Sequence, residues 1–168
     1  MPARVLVVAL LAFCALPSAA LSAERWESLQ ALPRLALQVT VSPNHHDLST
    51  EDIRRRLEEA LHRVESAPSI DPASADRLHL VVAVRSYSSS ELRGYYLPLS
   101  QAYGIGPVRL IVERPAQITG LAAPVPVLVW WTERQAKGPW KKSAAEIMEL
   151  VDEVVTSFLA DYRRALGQ

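Results

Sequence analysis

The sequence is short of the residues that most simply announce a function. It has one cysteine, six glycines and no net charge, with 18 basic and 18 acidic side chains in 168 residues. The lone cysteine excludes a disulfide scaffold and any thiolate metal cluster. Few glycines exclude collagen-like and low-complexity chains. A zero balance, with no basic cluster larger than Arg54-Arg55-Arg56, argues against nucleic acid as a partner, since phosphate binding draws on a basic excess. The length suits one domain.

Apolar residues are plentiful, and the first segment concentrates them. After Arg4 an unbroken apolar run extends from Val5 to Leu16 and is closed by Pro17, Ser18 and two alanines. One positive charge, a short apolar run and a small-residue exit are the parts of a secretory signal peptide, and the run is shorter than the roughly 20 residues that span a bilayer. Cleavage is expected after Ala20 or Ala23, giving residues 1–23 as leader and 24–168 as a single exported domain without a transmembrane segment. Lipidation at Cys14 is disfavoured, because Phe13 stands where that processing wants a small residue and the apolar run continues past the cysteine. Loss of the leader removes Cys14 and Arg4. The mature chain is then thiol-free, with one acidic group in excess.

Leu35 to Val41 alternates strictly and predicts a half-buried strand with Leu35, Leu37, Val39 and Val41 inward. Ser49-Thr50-Glu51-Asp52 supplies a cap and an acidic first turn for a helix whose inner face is Ile53, Leu57, Leu61 and Val64. Leu78 to Tyr87 reads as a second strand, parallel to the first and adjacent to it or one position away. Ser86 to Gly106 lacks periodicity and predicts a long loop. Val108 to Arg114 alternates again and is expected to stop at Pro115, and Val127 to Glu133 forms a β-branched and aromatic strand closed by Gly138-Pro139. Ser143 with Glu146 reads as a capping box for a final helix carrying Ile147, Leu150, Val151, Val154, Phe158 and Tyr162. The order β-α-β-β-β-α predicts an α+β two-layer sandwich: a four-stranded mixed sheet with both helices on one face and the other face open.

Motifs with chemistry are scarce. His45-His46-Asp47 is the one metal-like cluster, but adjacent loop histidines diverge and no further pair completes a tetrahedral set, so no metal and no cofactor are expected. A metal-dependent enzyme using His45 and His46 is the least favoured function. No nucleophile elbow is present, and Glu58-Glu59 and Asp152-Glu153 are neighbours that point apart on helices. No catalytic residues are assigned, and the chain is not expected to be an enzyme.

Aromatics stand out instead. Tyr87, Tyr95, Tyr96, Tyr103, Trp130, Trp131 and Trp140 fall in one stretch, interleaved with basic residues. Tyr, Trp and Arg together suit recognition surfaces, which makes Arg93, Tyr95, Tyr96, Tyr103, Trp130, Trp131 and Arg134 the candidate binding residues, with one of the two adjacent tryptophans expected in the core. The partner is expected to be a cell-envelope protein or a second copy of the chain. A glycan or lipid-headgroup ligand is the alternative.

The strand Leu35–Val41, the helix from Ser49 to Val64 and the closing helix from Ser143-Ala144-Ala145-Glu146 through Phe158-Leu159-Ala160-Asp161-Tyr162 give an order of elements that resembles the amino-terminal domain of the periplasmic Tol translocation protein and other small secreted bacterial α/β proteins. The resemblance is architectural. It implies an envelope binding or assembly role and transfers no site residue.

Overall fold

A computed structural model describes residues 26–30, 32–42, 48–88, 91, 102–140 and 143–168. The expected leader, Cys14 and the His45-His46-Asp47 cluster lie outside the described residues. A 3-10 turn, Glu27–Leu29, precedes β1 (Arg34–Val41), α1 (Thr50–His62), β2 (Ser69–Ile70), β3 (Arg77–Val82), β4 (Arg85–Tyr87), β5 (Tyr103–Ala116), β6 (Val125–Pro139) and α2 (Ser143–Ala165). The chain is an α+β two-layer sandwich with a mixed sheet and both helices packed on one face.

The sheet has six strands, not the expected four, ordered β2-β1-β3-β5-β4 with β6 on the far side of β5. Strands β1 and β3 are parallel neighbours joined through α1; β3, β5 and β6 form an antiparallel meander. The two extra strands are short. Strand β2 is two residues held by Ser69 N–H to Pro33 O (2.9 Å) and Asp71 N–H to Leu35 O (3.0 Å), too little chain to show a period. Strand β4 arises because the expected strand from Leu78 to Tyr87 breaks at Ala83-Val84, and its far part pairs with residues 103–105 of β5. Gly104-Ile105-Gly106-Pro107, expected in a loop, is therefore strand, and the connection begins only after Tyr87. Pro115 does not end β5 either. At Ala116 the strand is past β3, so its outer edge has no ladder bond for a proline to remove.

The core sits between the sheet and the helices. Leu78, Leu80, Val82, Val108, Leu110 and Val112 face Ile53, Leu57 and Leu61 of α1 and Ile147, Val151, Val154 and Phe158 of α2. Ser49 caps α1, accepting from Glu51 N–H (3.2 Å) and Asp52 N–H (3.4 Å). The expected capping box of α2 is replaced by a different arrangement. Ser143 is already helical and its hydroxyl donates to Trp140 O (2.6 Å), while Glu146 reaches across to accept the Lys137 N–H of β6 at 3.1 Å. At the other end of α2, the Tyr162 hydroxyl donates to Leu32 O (3.0 Å), tying the last turn to the segment before β1. Arg56 and Asp152 join the two helices by a two-pronged ion pair.

Candidate recognition face

Alternation sends the odd-numbered residues of β3 and β5 away from the helices. Register then builds the outer face row by row: Gln38, His79, Ile111 and Trp131; Thr40, Val81, Arg109 and Glu133; Arg85, Ile105 and Lys137; Tyr87 and Tyr103. No helix packs on these rows among the described residues.

The adjacent tryptophans separate cleanly. Trp130 is 1% exposed and lies edge-on to Phe158 at 5.4 Å, donating its indole N–H to Asp161 (3.1 Å). Trp131, opposite Ile111 on the outer face, is 41% exposed. Tyr103 is on the same face beside its cross-strand partner Tyr87, but eight residues along β5 from Ile111, roughly 26 Å away at strand spacing. Arg134 stands opposite Val108 on the helix side, where it donates to Glu153 (3.1 Å), Ser157 (3.3 Å) and Glu133 O (3.0 Å). It straps β6 to α2. Arg93, Tyr95 and Tyr96 lie outside the described residues. Of the candidate set, the outer face thus carries Tyr103 and Trp131, at opposite ends.

Two charge pairs on this face are matched across strands. Arg109 Nε and Nη2 donate to Glu133 Oε2 at 2.8 and 2.5 Å, and Gln135 donates to Glu133 Oε1 at 2.6 Å. The Arg109 hydrogen bonds hold the Glu133 carboxyl below the usual carboxylate range. Arg77 stands opposite Glu113. Around an apolar patch at Val81, Ile111 and Trp131 the charges are thus opposed in pairs, whereas the row of Ile105 adds two cations, Arg85 and Lys137, and makes the β4 end of the face basic. The sequence reading missed Ile118, Leu121 and Leu128, which are 44%, 46% and 55% exposed in or beside the β5–β6 turn. Their signal was available: no charged residue occurs between Arg114 and Glu133.

His79 is the titratable group at the centre of the face. Its Nε2 shares a 2.9 Å hydrogen bond with the Thr40 hydroxyl, and Gln38 and Ile111 flank it. Burial lowers its pKa, Glu113 opposes that, and Arg77 reinforces it. The fold therefore favours neutral imidazole. An unfolded histidine titrates near 6.5, so the contribution is fully present above about pH 6.5 and is lost as pH falls through the lower folded value. Thermal unfolding from pH 7.5 to 5.5 is expected to show a loss of stability that His79→Gln reduces. Equal pH slopes in the two proteins would remove His79 from the account. The Glu133 contribution, from a depressed carboxylate, disappears only at more acid pH.

The helix side offers a different kind of surface. A groove of about 340 Å³ runs between α1 and α2, floored by Ala60, Val64, Val155 and Leu159 and rimmed by Arg56 and Asp152. A second recess of about 510 Å³ is lined by Arg63, Glu65, Ser66 and Arg163 among others. Among the described residues no cluster of three His, Cys, Asp or Glu side chains could hold a metal, and no helix is long and apolar enough to cross a membrane.

No protein-family model and no curated protein sequence matches the chain. Solved structures do. A PelC dodecamer from Paraburkholderia phytofirmans aligns over 75% of this chain and 91% of its own, at 13% identity and a TM-score of 0.37. A minor lipoprotein from Acinetobacter baumannii aligns over 81% and 94%, at 14% identity and a TM-score of 0.32. At these scores neither transfers a residue, a partner or an assembly to this chain.

Proposed function

We propose that the chain is an exported, non-enzymatic binding or assembly domain of the cell envelope that engages a protein partner, or a second copy of itself, through the outer face of its sheet. One observation carries the proposal: both helices pack on one side, leaving an apolar patch of Val81, Ile111 and Trp131 on the other, beside the Arg109–Glu133 ion pair. Such a face gains by burying its apolar patch against a partner surface. Export rests on the leader-like segment 1–23.

Site-directed photo-crosslinking tests it. Benzoylphenylalanine in place of Gln38 or Trp131 is expected to trap one partner, or the chain's own copy, in envelope-expressed protein. The same group in place of Ala160, exposed on α2, is expected to trap none. Trp131→Ala should weaken the trapped association by about tenfold or more, the effect of removing an aromatic anchor. A monomer that crosslinks to nothing from the sheet face would sink the proposal.

A further inference from the structure

We propose that the tip of the β5–β6 hairpin contacts a lipid bilayer, embedding Ile118 and Leu121 in its interfacial zone with Leu128 behind them. This does not rest on the sheet-face reading, and either can fail alone. The argument begins with position. Strand β3 starts opposite Glu113, so the pairs Arg114–Val127, Pro115–Pro126 and Ala116–Val125 and the turn stand beyond it, a projection of about 10 Å at strand spacing. That matches the roughly 5–10 Å to which interfacial elements bury their apolar faces.

Composition follows the same logic. Charge is excluded from Pro115 through Thr132, although charged residues make up 21% of the chain. Backbone polarity, the main obstacle to entering an apolar phase, is also reduced. Pro115, Pro124 and Pro126 have no N–H to dehydrate. Leu121 N–H bonds Ile118 O at 3.0 Å across the turn, and the Gln117 side chain donates to Leu121 O at 2.7 Å. Gly120, at φ +92°, supplies the left-handed turn residue. Ile118 and Leu121 are nonetheless 44% and 46% exposed.

The tip is convex, so a protein occupant would need an apolar socket. The two recesses described on this chain are rimmed by Arg56, Asp152, Arg63 and Glu65, which would lose hydration to an uncharged plug. Neither recess suits the tip, whereas a fluid apolar surface takes a convex apolar element without a preformed socket. Because the tip carries no charge, binding should depend little on anionic lipid.

The test places an environment-sensitive NBD fluorophore at Thr119→Cys or, as control, Ala160→Cys, each in the full chain carrying Cys14→Ser. With phosphatidylcholine vesicles the Thr119 probe is expected to shift to the blue and brighten about twofold or more, as on entry into the interface. Phosphatidylcholine with phosphatidylglycerol should give a similar change, the Ala160 probe little, and the Ile118→Asp, Leu121→Asp double variant should abolish the Thr119 response. Three outcomes overturn the proposal: no shift at Thr119, an equal shift at Ala160, or a shift without vesicles that grows with protein concentration and so reports a second copy.

Discussion

Replacing Trp130 by alanine is expected to destabilise the fold by about 3–5 kcal/mol, whereas replacing its neighbour Trp131 should cost clearly less, about 1–2 kcal/mol. The difference comes from one step along a strand. Trp130 is among the largest fully buried side chains, packs on Phe158 and passes its N–H to Asp161 on α2. Truncation leaves a cavity between β6 and the helix, and it leaves Asp161 without that donor. For a domain of this size the loss amounts to roughly 10 °C or more in unfolding midpoint. Trp131 is 41% exposed opposite Ile111, so its removal forfeits part of its buried area but opens no enclosed cavity. Calorimetry on both variants and the parent checks the prediction. Equal destabilisation would mean that the two rings do not occupy opposite faces. Trp131→Ala should lose the crosslinked partner while remaining folded.

That separation could not be read from the sequence, which leaves open which tryptophan of the pair is inside. The reason lies in a register shift on β5 between Val112 and Glu113, opposite Val129 of β6. Before the shift Leu128 faces outward; after it Trp130 faces inward and Trp131 outward. A single extra residue resets the parity of a strand, and alternation counted from Val127 cannot detect it. Where alternation is unbroken, local sequence was sufficient. Leu35 to Val41, the Ser49 cap and the apolar stripe of α2 all appear where their periods place them. The candidate site was less legible. Tyr103 and Trp131 look clustered in a stretch that also holds two long strands, and an extended chain spreads neighbours in sequence over tens of ångströms. Arg134 shared that stretch but was claimed by Glu153 and Ser157 on α2, a contact that depends on the packing of the final helix.

Gly106→Ala is expected to be the second severe substitution, costing about 3 kcal/mol or more. Gly106 has φ +153°, and a Cβ built there meets Ala83 O at 2.3 Å and Val84 Cα at 2.8 Å. Both are backbone atoms at the break between β3 and β4, so no side chain can swing aside to relieve the contact. The approach is close because Ala83 N–H bonds Pro107 O at 2.9 Å while the chain kinks to let β4 pair further along β5. Two other glycines give the comparison. Gly120→Ala meets nothing within 4 Å and should cost about 1 kcal/mol, for the φ of +92° alone. At Gly104 the nearest atoms are Ser143 Cβ and Trp140 Cε3, both at 3.1 Å and both on side chains, so its alanine variant should fall between. Unfolding midpoints in the order Gly120→Ala, Gly104→Ala, Gly106→Ala, from mildest to most severe, are the expected result. A Gly106 variant as stable as the Gly120 one would show that β3 and β4 can separate from β5 without loss. Hydrogen exchange locates the damage: the Gly106 variant should expose the amides of β4 first, separating Tyr87 from Tyr103 and dismantling one end of the recognition face while Trp131 at the other end stays in place.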